Sequence, residues 1–515
     1  MHHRDMRPIA DGTKTAAFSN RLSLIVRNTS LVLLTCCVLA VVFVAPFVQY
    51  ASKHYYLVEW NWVLVPAALI AIAGIAFVIG RWPASARPHR SRIFETFVAA
   101  ATVTTLVLQG LIVSGAWFVT DWDCGTIAMN DPADIVDYLS VYPNQLFLVG
   151  LFSWMRQAAA LFGIEPYLVM AYGGCICVTV SACLASFVAR KLFGKRAAIV
   201  ASTVLFVFCG LSPWILVPYS DTYGMLAPTA ILFAYVCMKD ARMKTAVIAA
   251  AFGIGYCIKP TTIFAVLAIL CIEGCRLVHR LATDRASLSL KRGIMGVGAA
   301  ALGSLLAFGL IAAAEKDLPE LDENRAYSAA HYLMLGLNAQ TYGVWSQGDV
   351  EYSSSFATPE ERRAGNIEEW KNRVHELGID GAAKLYAKKV IRSYSDGAFA
   401  WEEAGTFYAD VRGENDALKA WWGIGDKGDN VAFRVASQIV WFAVLIGVVL
   451  LLFSRKSTRA EAAMAFALVM LTCFLAVFEC NARYLFLYLP YYIVLASGGW
   501  LAASRLLPCK DAKRR

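Results

Sequence analysis

Long apolar runs that recur along the whole chain constrain its fold more than any other feature. A helix of about 20 apolar residues suits a bilayer, because it satisfies its own backbone hydrogen bonds. With only 17% charged residues and a mean hydropathy of +0.54, the chain is typical of a membrane protein. We predict an all-α polytopic membrane protein with about twelve transmembrane helices. The predicted spans are 31–48, 63–80, 93–119, 167–188, 199–216, 224–238, 246–258, 263–275, 294–313, 435–452, 460–477 and 484–504.

Lysine and arginine cluster in short loops between these runs, which predicts the orientation of the chain. Cytoplasmic loops carry the excess of basic residues, so the loops 81–92 and 276–292 and both termini are expected in the cytoplasm. The apolar stretch 145–162 contains Arg156 and Gln157. Counting it as a span would put the next basic cluster outside, so we predict an interfacial or re-entrant helix at the outer face.

Four parts follow from this topology. They are a cytoplasmic tail with a two-helix hairpin (1–92), a catalytic membrane core (93–314) with an acidic outer loop (120–146), an exported loop domain (315–430), and a three-helix segment with a basic cytoplasmic tail (431–515). The exported domain is predicted to be small and mainly helical, with a capping box at Thr358–Glu361. The net charge of +9 lies in short loops and does not indicate nucleic acid, and the phosphate-binding glycine motifs are absent from the sequence.

The acidic outer loop offers five carboxylates close to the membrane: Asp121, Asp123, Asp131, Asp134 and Asp137. A solvated acidic loop and an acid/base site at the membrane surface both fit this composition. Asp123 is the first candidate for a base, because Gly125 after it lets the chain fold back. Asp121 is the second candidate, although a residue directly after a span also suits a capping role. Asp131, Asp134 and Asp137 have the spacing of one solvated helix face, with Asp131 as an N-cap.

Several short motifs on the outer side resemble one superfamily. They are YPNQLFLVGLFSWMRQAAALFG after the acidic loop, VPYSDT, KPT, FECNARYLFLYLPYY, and, in the exported segment, HYLMLGLN, SQGDVEYSSS and SDGAFAWEEAG. In order and sidedness these resemble the GT-C superfamily of membrane glycosyltransferases, and most closely the bacterial branch of glycosyltransferase family 39, related to protein O-mannosyltransferases. The resemblance covers most of the chain from Asp121 on. Two extra spans precede it, and the five aspartates leave the choice of base open.

The resemblance implies a cell-membrane enzyme that transfers a hexose or pentose from a polyprenyl-phosphate donor to a glycan, lipid or protein acceptor at the outer face. Asp123 or Asp121 would serve as the base, while Arg483 and Lys259, two of the few outer cations, would stabilise the lipid phosphate. We expect the substrate-binding residues to be Tyr142, Asp221, Lys259, His331, Asp349, Glu479, Arg483 and Tyr484.

Other interpretations stay open at this point. A lipid-linked sugar flippase would place charges inside its spans, which are nearly free of them, whereas a lipid-linked glycan ligase or polymerase fits the same outer cations. Asp123, Asp221 and Asp349 are oxygen donors that could together hold a divalent cation, the one cofactor considered. Asp221 also suits a plain turn residue, and Arg483 a structural partner of Glu479 one helical turn away.

Overall fold

The computed structural model describes residues 10–48, 53–81, 92–283, 288–316, 320–405, 408–425 and 430–506. Regular structure in these ranges is almost entirely helical, as predicted. The α-helices are α1 Ala10–Leu39, α2 Asn61–Arg81, α3 Ile93–Ala116, α4 Asp123–Met129, α5 Val136–Val141, α6 Leu146–Phe162, α7 Pro166–Val204, α8 Ser220–Gly224, α9 Leu226–Cys237, α10 Ala241–Ile258, α11 Ile263–Thr283, α12 Leu288–Glu315, α13 Ala329–Gly336, α14 Gln347–Ser354, α15 Pro359–Tyr394, α16 Asp416–Trp422, α17 Val431–Leu450, α18 Arg459–Val477 and α19 Leu489–Ser504. Strands β1 Phe118–Thr120 and β2 Tyr408–Val411 pair antiparallel. Most of the basic loop 81–92 and the tail after 506 lie outside these ranges.

Ten helical stretches within the described ranges are long and apolar enough to cross a membrane. The count is lower than twelve for two reasons. The predicted spans 167–188 and 199–216 fall within one long stretch, Pro166–Cys209, which is kinked between them at Gly194, where the backbone is not helical (φ 83°). The predicted span 224–238 forms α9, which has only 12 residues. The apolar side chains on the outside of the bundle, such as Ile70 and Phe308, need a lipid environment.

Helix α19 lies at the centre of the bundle, and most of its residues are buried. It approaches α17 so closely that a Cβ on Gly499 would lie 1.8 Å from the carbonyl oxygen of Gly447. Trp500 Nε1 donates to the carbonyl oxygen of Ala443 at 3.1 Å, and Tyr491 Oη donates to that of Pro228 at 2.7 Å. These contacts fix the segment 478–488, which leads into α19, at one end of the bundle.

We call this end of the bundle the loop face. It is built from segments 117–146, 212–224, 259–262, 320–425 and 478–488. Backbone contacts join distant segments here: the β1–β2 pair links the acidic loop to residues 408–411, and the amide of Cys480 donates to Gly343 at 2.9 Å. Segment 315–430 therefore packs directly on the acidic loop.

Helix α15, the longest in that segment, begins at the predicted capping box. The Thr358 hydroxyl accepts from the Glu361 amide at 3.2 Å, and the Glu361 carboxylate accepts from the Thr358 amide at 3.2 Å. These reciprocal bonds satisfy two otherwise unpaired amides at the start of the helix.

Helix α6 covers the stretch for which the sequence predicts an interfacial helix. Leu148, Val149 and Phe152 are buried, whereas Trp154 and Leu161 are exposed. It has 17 residues and is not among the ten stretches of spanning length. This one-sided burial is typical of a helix at an interface, and its depth in the bilayer stays a prediction.

Candidate active site at the loop face

Arg483 is a buried cation surrounded by aromatic rings. It lies in a 3-10 helix, Ala482–Tyr488, whose N-cap Asn481 accepts the Arg483 amide at 2.9 Å. The guanidinium carbon lies over four ring centroids, those of Trp122 at 4.5 Å, Tyr219 at 5.3 Å, Tyr484 at 5.6 Å and Trp214 at 5.8 Å. Aromatic faces attract a cation and stabilise it away from bulk water.

Asp221 joins Arg483 to a second cation. It is the second residue of α8 and is fully buried. Its Oδ2 lies 3.1 Å from Arg483 Nε, and its Oδ1 accepts from Lys259 Nζ, which also lies 4.5 Å from the ring centroid of Tyr484. Burial lowers the pKa of Lys259, and the Asp221 carboxylate opposes that shift. Asp221 is therefore not a plain turn residue. Its single negative charge contacts two cations and neutralises only one of the two positive charges.

Asp123, at the start of α4, lies beside this pair and is half-buried. The Tyr219 hydroxyl donates to Asp123 Oδ2 at 3.3 Å and accepts from Gln145 Nε2 at 2.7 Å. Burial raises the pKa of Asp123, and Arg483, Tyr138 and Tyr219 oppose that shift. The environment thus moves this carboxyl toward the range in which a base works near neutral pH.

Gly125 shapes the loop that carries Asp123. A Cβ on Gly125 would lie 1.8 Å from the carbonyl oxygen of Thr120, and its amide donates to Thr120 Oγ1 at 2.9 Å. The loop therefore folds back on the end of β1 where the sequence predicts it. At the other end of α4, Arg156 donates to the carbonyl oxygen of Ala128 at 3.0 Å and fixes the helix to α6.

Glu479 is a third carboxylate of the cluster. The Tyr484 hydroxyl donates to its Oε1 at 2.9 Å. Burial raises the pKa of Glu479, opposed first by Tyr484 and then by Arg483 and Lys259. Residues 478–481 are not helical, so Glu479 is not the one-turn helical partner of Arg483 that the structural alternative requires.

Tyr142 also lies at the site, at the junction between α5 and a short 3-10 helix. Its ring centroid is 5.1 Å from that of Tyr138 and 5.6 Å from that of Tyr327. Asp121 precedes the site and is exposed, as are Asp131, Asp134 and Asp137. Asp131 pairs with Arg156 at 3.3 Å, and Asp137 pairs with Arg325.

His331 and Asp349 lie behind the site instead of inside it. The His331 ring stacks on Tyr327 at 4.1 Å, and its Nδ1 shares a hydrogen bond of 2.7 Å with Ser353. Burial lowers the pKa of His331 to about 4, so the imidazole is neutral at pH 7. Asp349 accepts from Arg373 Nη2 at 2.6 Å and from Asn338 at 2.9 Å.

The structure does not assemble the three aspartates that could hold a divalent cation. Each oxygen of Asp221 faces Lys259 or Arg483, and Asp349 is paired with Arg373. Among the described residues, no group of three or more His, Cys, Asp or Glu side chains has a metal-binding arrangement. The residues present do not fit the cation site considered from the sequence.

Four residues of the site are not predicted by the sequence: Trp122, Gln145, Trp214 and Tyr219. Gln145 and Tyr219 lie in quoted motifs, Trp122 stands between Asp121 and Asp123, and Trp214 lies just upstream of VPYSDT. The only sequence signal for these four residues was their polar or aromatic character close to the residues already singled out. The pairing of Tyr219 with Asp123, 96 residues apart, follows only from the packing of α4 against α8 and its preceding turn.

The fold and the site together define a polytopic helical membrane protein with buried charges gathered at one end. A family model described as "Conserved hypothetical integral membrane protein" matches residues 25–504, and the chain belongs to this family. Comparison with curated proteins finds no match.

Three solved structures show limited similarity. They are ArnT from Cupriavidus metallidurans in the apo state (15% identity, 79% of this chain and 77% of that chain, TM-score 0.33), the same protein bound to undecaprenyl phosphate (14%, 79% and 78%, 0.30), and the archaeal oligosaccharyltransferase AglB from Archaeoglobus fulgidus in complex with an inhibitory peptide and a dolichol-phosphate (14%, 78% and 50%, 0.37). The TM-scores are all below 0.5, so the similarity is too weak to carry a function over to this chain.

Proposed function

We propose that this protein is an integral membrane glycosyltransferase that moves a sugar from a polyprenyl-phosphate carrier to an acceptor hydroxyl at the outer face of the cell membrane. One observation carries the proposal: two buried cations share the carboxylate of Asp221 directly beside the half-buried Asp123. Lipid-phosphate sugar transfer needs such a combination of an anion site and a base. The motif resemblance supports the same reaction class.

Arg483 is suited to the phosphate of the donor. Its Nε lies 3.1 Å from Asp221 Oδ2, and its guanidinium carbon lies 4.5 Å from the ring centroid of Trp122, which follows Asp121 in the acidic loop. A guanidinium fork binds two phosphate oxygens at once, and Lys259 adds a second positive charge close by. As the sugar leaves, negative charge grows on the carrier phosphate. Cations already fixed in a poorly solvated site stabilise that charge without reorganising.

Asp123 is suited to the acceptor. The acceptor hydroxyl gives its proton to an Asp123 oxygen, its own oxygen bonds to the anomeric carbon, and the bond from that carbon to the phosphate oxygen breaks. The Tyr219 hydroxyl keeps the carboxylate oriented while this happens. A single displacement of this kind inverts the anomeric centre. An in-line displacement requires the base and the phosphate site to lie on opposite sides of the reacting carbon, and we assign Asp123 and the two cations to these sides.

The test uses the purified full-length protein in lipid nanodiscs with labelled polyprenyl-phosphate hexoses and pentoses. We expect release of polyprenyl phosphate and a labelled acceptor product from wild type, and no release from Asp123→Asn. Turnover of a lipid-linked oligosaccharide alone would indicate the ligase or polymerase. Movement of labelled donor across vesicles without cleavage would indicate the flippase. Either result would overturn the proposal.

A further inference from the structure

Three neighbouring tyrosine side chains form a row that begins beside Asp123. We call Tyr138, Tyr142 and Tyr327 the tyrosine row. Neighbouring rings have centroids 5.1 and 5.6 Å apart, and the second pair is perpendicular. All three side chains keep part of their surface exposed. The row thus leads from the proposed base toward segment 320–354.

Polar groups border the same space. Tyr332, on α13, is half-buried; burial raises its pKa, and so do the nearby Glu479, Tyr142 and Asp123. Glu479 also keeps part of its surface exposed, unlike the fully buried Asp221. Flat rings are therefore combined with carboxylate and phenol groups that can bind hydroxyls.

The position of Tyr327 is fixed by hydrogen bonds from two sides. Its amide donates to the carbonyl oxygen of Val141 at 3.2 Å, and its hydroxyl shares a bond of 2.7 Å with Ser354. The His331 ring stacks on the Tyr327 ring. Hydrogen bonds and ring stacking therefore hold Tyr327 in place at one end of the row.

We propose that the tyrosine row binds a carbohydrate acceptor, a glycan whose terminal sugar presents a hydroxyl to Asp123. Sugar rings have an apolar C–H face that packs on aromatic rings and an edge of hydroxyls that carboxylates and phenols bind. The row consists of side chains on helices and turns, so it offers no strand edge to which a peptide backbone could add. Three successive rings extend past one sugar, so the site favours a chain of sugars.

This inference rests on the proposed function, and two measurements separate them. In the first, wild type in nanodiscs is titrated with short linear oligosaccharides of hexoses or pentoses, without donor. We expect saturable binding that Tyr142→Leu and Tyr327→Leu weaken by about three- to tenfold, the value of one lost ring contact. Tyr142→Phe and Tyr327→Phe keep the ring and should bind nearly as wild type does. The control is Tyr386→Leu, a change at an exposed tyrosine of α15 outside the row. Thermal unfolding of each variant establishes that it is folded.

The second measurement follows donor turnover with oligosaccharides and with a Ser/Thr peptide as acceptors. The leucine variants should raise KM for the oligosaccharide and leave KM for the donor unchanged. Failure of every oligosaccharide to bind, equal binding by the leucine variants, a raised donor KM, or transfer to the peptide alone overturns the inference. If oligosaccharide binds but the donor is not turned over, the proposed function is overturned, whereas the tyrosine row is still a carbohydrate-binding site.

Discussion

Asp221 and Arg483 face each other across 3.1 Å from Oδ2 to Nε, and both are buried. Lys259 contacts the other oxygen of the same carboxylate. Without Asp221, the two cations would lie side by side in a poorly solvated site and lose the one carboxylate that contacts both of them. Asp221 therefore holds the two cations together, and under the proposed function a donor phosphate would bind beside a cation pair that is already fixed.

Replacing Asp221 with asparagine should destabilise the protein strongly. Removing one partner of a buried ion pair costs about 3–5 kcal/mol, because the remaining charge stays uncompensated. Thermal unfolding in detergent should show a large loss of stability for Asp221→Asn. The matched control is Asp137→Asn, which removes the exposed pair with Arg325 and should cost about 0–1 kcal/mol. Equal stability of the two variants would contradict the counter-ion role.

Tyr219→Phe should move the acid limb of the pH–rate profile to higher pH. The phenol donates to Asp123 and favours its ionised form, so its loss raises the pKa of Asp123 further. A base must be ionised to act, so activity falls at low pH and recovers at high pH. We expect a shift of about one pH unit, measured in kcat/KM, which corresponds to a modest hydrogen bond to a charge.

The control for this shift is Tyr223→Phe, which removes a buried phenol of α8 that donates to the carbonyl oxygen of Met170 on α7. Its acid limb should coincide with that of wild type. A Tyr219→Phe profile that is lower at every pH by the same factor would indicate a structural role alone.

Arg483→Ala should abolish donor turnover while the protein still inserts into the membrane. Arg483→Lys should retain only part of the activity, because an ammonium cannot bind two phosphate oxygens in a fixed fork. Binding of radiolabelled polyprenyl phosphate would be measured beside turnover. Wild-type affinity in the alanine variant would remove Arg483 from the phosphate site. Arg325→Ala, at an exposed ion pair, serves as the control.

Sidedness can be tested with cysteines introduced at exposed positions on the two ends of the bundle. Asp137 lies at the loop face, and Lys456 lies in the loop between α17 and α18. A membrane-impermeant maleimide added to intact cells should label Asp137→Cys above the wild-type background and leave Lys456→Cys unlabelled. The reverse pattern would place the loop face in the cytoplasm.

The helical class was predictable because apolar runs of spanning length have few other solutions. The helix boundaries were less predictable. The stretch between the predicted spans 167–188 and 199–216 is helical on both sides of a kink at Gly194, where glycine adopts a positive φ. The cations Arg483 and Lys259 could be found because lone charges beside apolar runs are rare.

Their shared partner was harder to find. Nothing in the spacing of Asp221, Lys259 and Arg483 shows that one carboxylate lies between the two cations. Their contact depends on how α8, the end of α10 and the 3-10 helix before α19 pack together. The same limit explains why Asp349 was expected near Asp221. Its motif is local, whereas its true partner, Arg373, comes from α15.

The last prediction concerns the choice between Asp123 and its neighbours in the loop. Asp123 alone of the five loop aspartates combines partial burial with a hydrogen bond from Tyr219, whereas Asp121 and Asp131 are exposed. Asp123→Asn keeps the shape and loses the basicity, so it should reduce kcat by at least about 10²-fold while donor binding persists. Asp121→Asn and Asp131→Asn are matched controls and should turn over nearly as wild type does. An inactive Asp121→Asn together with an active Asp123→Asn would assign the base to Asp121 instead. Activity in both variants would show that this loop does not supply the base, because no exposed aspartate of the loop has the contacts that a base requires.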